Sequence, residues 1–120
     1  MIPLSTTVRI FVFTGVTDMR KSFNGLSGQV VEHFDVELLS GHLFLFFNRR
    51  RTCVKALHWD NDGLVIWYKR LEAGTFQLPT AKGNAVDEQR AEIDHTDLSL
   101  LLSGIDLTSA KRRKRYQVAG

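Results

Sequence analysis

The side chains of this 120-residue chain whose types and spacing could do chemistry are basic, and they fall in three clusters. These are Arg49, Arg50 and Arg51; Lys69 with Arg70; and Lys111, Arg112, Arg113, Lys114 and Arg115, together ten of the sixteen Lys and Arg residues. Cations packed this closely bind phosphate oxygens and displace the counterions condensed on a nucleic acid, largely without sequence preference. Arg20 and Lys21 form a smaller group in the first turn of an expected helix. That placement suits a docked anion, since helix starts present unpaired N–H groups. The plainer reading is that Arg20 pairs with a neighbouring carboxylate.

Catalytic arrangements are weak by comparison. Asp60, Asp62 and Glu72 resemble a metal-carboxylate nuclease set in composition only. Asp60 and Asp62 belong to a turn and Glu72 follows the far end of the next strand, about 20 Å away at roughly 3.4 Å per residue. The "DNDG" run at 60–63 matches the opening of a calcium loop, but Leu71 stands where the loop needs its glutamate. His33, His42, His58 and His95 lack metal-ligand spacing. Cys53 is the only cysteine, which excludes an internal disulfide and disfavours a cysteine-based zinc site. No glycine-rich phosphate cradle occurs. No catalytic residue, metal or cofactor is expected, and the chain reads as non-enzymatic.

The net charge of +3 is unevenly distributed. Residues 1–106 hold eleven Lys and Arg against thirteen Asp and Glu, a net of −2, whereas residues 107–120 hold five basic residues and no acid. A nucleic-acid surface on the body must therefore be local. No apolar run approaches the roughly 20 residues of a membrane helix. The opening "MIPLSTTVRIFVF" has no secretory pattern, so the expected location is the cytoplasm.

The elements that position these clusters are legible as a pattern. "VRIFVF" (8–13) is β-branched and aromatic and reads as a strand ended by Gly15. Thr17 and Asp18 are good helix caps. Met19, Phe23, Leu26, Val30 and Phe34 then form one apolar stripe, which predicts a helix over about 18–34. Gly25 and Gly28 weaken that helix on its other face. "LFLFF" (43–47), "CVKALHW" (53–59) and "LVIWYKR" (64–70) are strand-like runs separated by "NRRRT" and "DNDG", a meander with a tight second turn. In that meander Cys53 falls roughly opposite Arg70, and Phe47 roughly opposite Cys53, within a residue of slip. Arg49–Arg51 and Lys69–Arg70 then share one end of the sheet as a basic rim. "AGTFQLP" (73–79) and "RAEID" (90–94) are candidate short strands, with a polar loop between. Thr96 and Asp97 cap a short helix carrying Leu98, Leu101 and Leu102, with Gly104 as its stop. The expected fold is α+β: a small antiparallel sheet with one amphipathic helix on a face and a short C-terminal helix. Residues 1–106 form one domain and 107–120 a basic mobile tail. Phe23, Leu26, Val30, Leu45, Leu57 and Ile66 are the expected core.

Four segments, in order, resemble one known family: "TDMRKSFNGL" (17–26), "SGHLFLFFNRRR" (40–51), "VKALHWDNDGLVIWYKRLEAGTFQLP" (54–79) and "LSLLLSGID" (98–106). The family is the accessory protein often called TnpB, the second open reading frame of insertion sequence sixty-six type elements. Its motif positions here include Arg20, Lys21, Arg49, Arg50, Trp59, Asp60, Gly63, Lys69, Arg70, Leu71 and Glu72. The resemblance implies a role in bacterial transposition beside a second accessory protein and a separate transposase. Two classes of function are open on the sequence. One is a DNA-binding factor that holds element ends or target DNA through the rim and tail. The other is a protein–protein adaptor for the transposase, consistent with the body's negative charge.

The tail holds five basic residues with little apolar content, too little to bury and order itself. If it neutralises about four phosphates, its share of the slope of log affinity against log salt is near −3.6. Deleting residues 109–120 is expected to flatten the salt dependence of DNA binding by about that amount, with the melting temperature little changed. An unchanged slope reduces the tail to a solubilising appendage.

Overall fold

The "LFLFF" run sets the architecture. Five consecutive apolar side chains in a strand point alternately to opposite faces, so both faces need cover. In a computed structural model describing residues 5–78 and 89–103, this run is strand β2 (Leu43–Phe47), and all five side chains are buried. The other strands are β1 (Ile10–Val16), β3 (Cys53–Asp60), β4 (Gly63–Arg70) and β5 (Arg90–Ile93). Helix α1 (Phe23–His33) follows β1, a 3-10 turn (Leu38–Ser40) precedes β2, and helix α2 (His95–Ser103) follows β5. The tail, Gly104 and most of the expected 80–89 loop lie outside the described residues.

The five strands form one sheet in the order β4-β3-β2-β1-β5. β2, β3 and β4 make the expected antiparallel meander. β1, however, runs parallel to β2, and β5 antiparallel to β1. The sheet is thus mixed rather than wholly antiparallel, within the expected α+β class. The parallel pair follows from connection length: β1 and β2 are joined through α1, and such a crossover returns the chain in the same direction.

Alternation along the strands divides the core in two. Phe11, Phe13, Phe44, Phe46 and Leu57 face α1, where Leu26, Val30 and Phe34 close over them. Phe44 stacks on Phe11 at 5.5 Å and meets Phe34 edge-on at 5.4 Å. Ile10, Val12, Leu43, Leu45, Phe47, Val54 and Ala56 face the other way, onto Leu98, Leu101 and Leu102 of α2. Segment 71–78 completes that second layer. Its residues 73–78 do not form the strand expected over 73–79, whose last residue lies outside the described residues, but the segment buries Phe76 against Phe47 at 5.5 Å.

Several boundaries differ from the sequence reading. β1 continues through Gly15, where a Cβ would come within 2.7 Å of the Phe13 ring. α1 starts at Phe23, not near 18. The Thr17 N–H bonds to Phe47 O, which keeps that residue extended beside β2. Asp18 closes a local turn instead: its Oδ1 accepts from Arg20 N and its carbonyl from Lys21 N. Phe23 is consequently 44% exposed, and the expectation that it is buried fails. Ile66 is half-buried because it lies on edge strand β4, whereas Leu26, Val30, Leu45 and Leu57 are fully buried. Asp94 rather than Thr96 or Asp97 caps α2, accepting from Asp97 N at 2.7 Å.

The two ends of α1 give a direct check. Leu26→Ala is expected to cost about 2–5 kcal/mol by transfer and cavity terms. Phe23→Ala is expected to cost less than about 1 kcal/mol, as a surface change. Chemical denaturation of the two variants measures both.

Candidate nucleic-acid interface

Strand direction gathers the basic groups at one end of the sheet. β1 and β2 both finish there, β3 starts there and β4 finishes there. The Thr17–Phe47 bond brings the 17–22 segment and the start of α1 to the same end. So does the C-terminus of α2, because Lys69 Nζ donates to Leu102 O at 3.1 Å. Arg20, Lys21, Arg49, Arg50, Arg51, Lys69 and Arg70 thus all belong to one end. Lys111, Arg112, Arg113, Lys114 and Arg115 lie outside the described residues, but the chain leaves α2 at this end.

Cys53 pairs with Arg70 as expected, while Phe47 pairs with Val54, one residue from the expected position. Arg50 is three residues from Cys53, so its Cα lies within about 17 Å of that of Arg70, adding about 5 Å for the ladder. That is inside two Debye lengths, roughly 20 Å at 0.1 M salt, the separation beyond which the two clusters could not act as one site.

The tip between β2 and β3 is stiff. Asn48 Oδ1 accepts from Thr52 N at 2.9 Å and Cys53 N at 3.0 Å, and its amide donates to Thr52 Oγ1. Arg51 adopts a left-handed φ of 58°, which reverses the chain. Its side chain then turns inward and donates to Thr14 O at 2.8 Å. Its other terminal nitrogen, Nη1, is buried without a hydrogen-bond partner among the described residues. Burial pushes the guanidinium pKa below its ordinary value. Arg49 and Arg50 stay exposed.

The rim therefore divides. Arg51 and Lys69 hold the fold together: one joins the tip to β1, the other places a cation on the last carbonyls of α2, where it is favourable. Arg49, Arg50 and Arg70 face solvent. Arg70 shares one nitrogen with Glu72 at 3.3 Å, and both side chains are mostly exposed. Arg20 is 91% exposed and forks onto Asp18 at 2.6 Å. Those bonds hold the Asp18 carboxyl down at about 2. The plainer reading of Arg20, a pairing with a carboxylate, is the one found. Neither Arg20 nor Lys21 lies in the first turn of α1, since both precede its cap at Ser22. A Cβ on Gly25 would lie 3.1 Å from Lys21 Cβ and Cγ, so this glycine gives the lysine stem room to lie on the helix.

Sequence reading gave Lys55 no role. It is 8% exposed, donates to Lys21 O at 2.8 Å, and lies 4.9 Å over the Tyr68 ring. A lysine interrupting an apolar strand was the available signal. The opposite end of the sheet is acidic. It carries Asp60 at the end of β3, Asp62 in the β3–β4 turn, Asp94 after β5 and Asp97 in the first turn of α2. Glu72 lies beyond the other end of β4, which separates the three carboxylates weighed as a metal set. Among the described residues no three His, Cys, Asp or Glu side chains gather as a metal site. No helix there is long and apolar enough to cross a membrane.

The division of labour is measurable. Arg51→Ala leaves Thr14 O without its donor and is expected to lower stability by about 1–3 kcal/mol. Arg49→Ala and Arg50→Ala are expected to stay within about 0.5 kcal/mol of the parent, as changes at free surface positions. Thermal or urea unfolding compares the three.

Comparison with known proteins places the chain in a family. Residues 8–112 match the profile of the IS66 Orf2-like proteins, spanning every described strand and both helices. An uncharacterized Sinorhizobium fredii protein, y4hO, is 39% identical over 106 residues, 88% of each chain. A second from the same organism, y4jC, is 32% identical over 113 residues, 94% of this chain and 92% of the relative. No solved structure matches the chain at a significant level. With a whole-domain profile match and relatives this similar over nearly their full length, the chain belongs to the IS66 Orf2-like family, accessory proteins of transposition.

Proposed function

We propose that the basic end of the sheet binds the phosphate backbone of DNA, holding element ends or target DNA for the transposase. The observation that carries this reading is the exposed pair Arg49 and Arg50 on a tip stiffened by Asn48, in reach of Arg70 and at the same end of the sheet as the last turn of α2. A rigid tip costs little ordering entropy on binding, and planar guanidinium forks match phosphate oxygens. The acidic end then points away from the polyanion, so the domain approaches DNA in one orientation. Backbone contacts position a protein without reading sequence. Choice of site would then rest with the transposase or the second accessory protein of the element. No catalytic residue and no cofactor are assigned.

An adaptor that recruits or regulates the transposase without touching DNA is the second reading. The feature favouring it is the acidic end built by Asp60, Asp62, Asp94 and Asp97, which suits a basic protein partner.

Binding of the purified chain to duplexes of element-end and random sequence, at two salt concentrations, separates the readings. Micromolar binding with little sequence preference and a steep salt dependence supports DNA contact. The Arg49→Ala/Arg50→Ala double variant is then expected to reduce the magnitude of the log–log salt slope by about 1.8, two phosphates' worth. No binding at low salt leaves the adaptor.

A further inference from the structure

Among the described residues nothing pairs with the outer side of β4. The strand is eight residues long, and residues 64–68 carry no charge. Val65 and Tyr68 are 41% and 52% exposed on its two faces. Long, uncharged, exposed edges are templates for pairing with another strand, and proteins usually blunt them. The other edge, β5, has only four residues.

The hydrogen-bonding side of β4 is fixed. Leu71 N–H donates to Thr52 O, so by alternation the odd-numbered residues turn their amides toward β3. Leu64, Ile66, Tyr68 and Arg70 turn theirs outward. We propose that this edge pairs antiparallel with β4 of a second copy of the chain, about a two-fold axis at Ile66.

The register follows from the side chains. A two-fold axis perpendicular to the sheet keeps each face on its own side, so residues opposite each other must share a face. Centring on Ile66 sets Tyr68 against the partner's Leu64, Trp67 against the partner's Val65, and Arg70 against the partner's Asp62. Every inner pair is then apolar, and each ladder end carries opposite charges, twice over by symmetry. Centring on Trp67 instead would set Lys69 against the partner's Val65 and Arg70 against the partner's Leu64, burying charge on apolar groups. The basic and acidic ends of the sheet are thus complementary to themselves when the strand is reversed. Arg70 is 70% exposed and gives one nitrogen to Glu72, leaving donors for a second carboxylate. The pairing is independent of DNA binding, which rests first on Arg49 and Arg50.

Sedimentation velocity on the full chain over a concentration series is the test. The expected species is a dimer of twice 13.7 kDa in equilibrium with monomer. Asp62→Arg and Arg70→Asp alone are each expected to weaken the dimer about tenfold or more, by like-charge contact. The double variant Asp62→Arg/Arg70→Asp is expected to restore it. Independently, Ile66→Cys is expected to form an intermolecular disulfide on mild oxidation, because paired Cα atoms across the axis lie about 5.5 Å apart. Val65→Cys, which is off the axis, is not expected to do so. Circular dichroism melts check that each variant is folded. A monomer at every concentration, a dimer indifferent to the single changes, or equal cross-linking at 65 and 66 overturns the proposal. A dimer broken by the single changes but not restored by the double overturns it too, pointing to a different partner surface.

Discussion

Double-sided burial of β2 is the constraint on which the rest of this structure depends. A strand whose five side chains are all apolar cannot lie on a surface sheet, so it takes the central position with a helix on each face. Covering the first face with α1 places a crossover between β1 and β2, which makes them parallel. Parallel neighbours end at the same side of a sheet, and the β2–β3 tip, the entrance of α1 and the finish of β4 all follow. The clustering of cations at one end is therefore a consequence of how the core closes. The carboxylates of the β3–β4 turn fall at the opposite end by the same geometry.

The cations at that end are of two kinds that residue type alone does not distinguish. Arg51 and Arg50 are neighbours of the same type, yet one supports the fold and the other is free. The left-handed turn at Arg51 directs its guanidinium to Thr14 O, where it is partly desolvated. Lys69 faces the same side of β4 as Trp67 and meets the end of α2. Lys55, on the other face, ties β3 to the turn before α1. Internal cations of this kind stiffen the end of the sheet that carries the exposed ones.

Much of this was legible in the sequence. The "DNDG" turn pins the β3–β4 register, so Cys53 opposite Arg70 could be read directly from spacing. The α1 stripe from Leu26 to Phe34 was equally plain. The start of α1 was not, because Asp18 is as suited to closing a turn around Arg20 as to capping a helix, and the backbone bond from Thr17 to Phe47 decides between them. The parallel β1–β2 pairing depends on which strand the chain meets after the helix, a tertiary outcome that local pattern does not encode. Nor does "NRRRT" say which arginine turns inward, since that rests on one backbone torsion. Phe76 had an apolar signal, but its segment packs without the ladder bonds that would make it a strand.

The central claim is that exposed and internal cations at this end have different partners, and the arginine side chains can report it individually. Nuclear magnetic resonance of the arginine Nε–H groups, followed while a short duplex DNA is added at low salt, measures it most directly. The expected result is that the Arg49 and Arg50 signals shift together and return when salt is raised, while Arg51, held on Thr14 O, does not move. Unmoved Arg49 and Arg50 signals, or shifts centred instead on the Asp60–Asp62 end of the sheet, would contradict it.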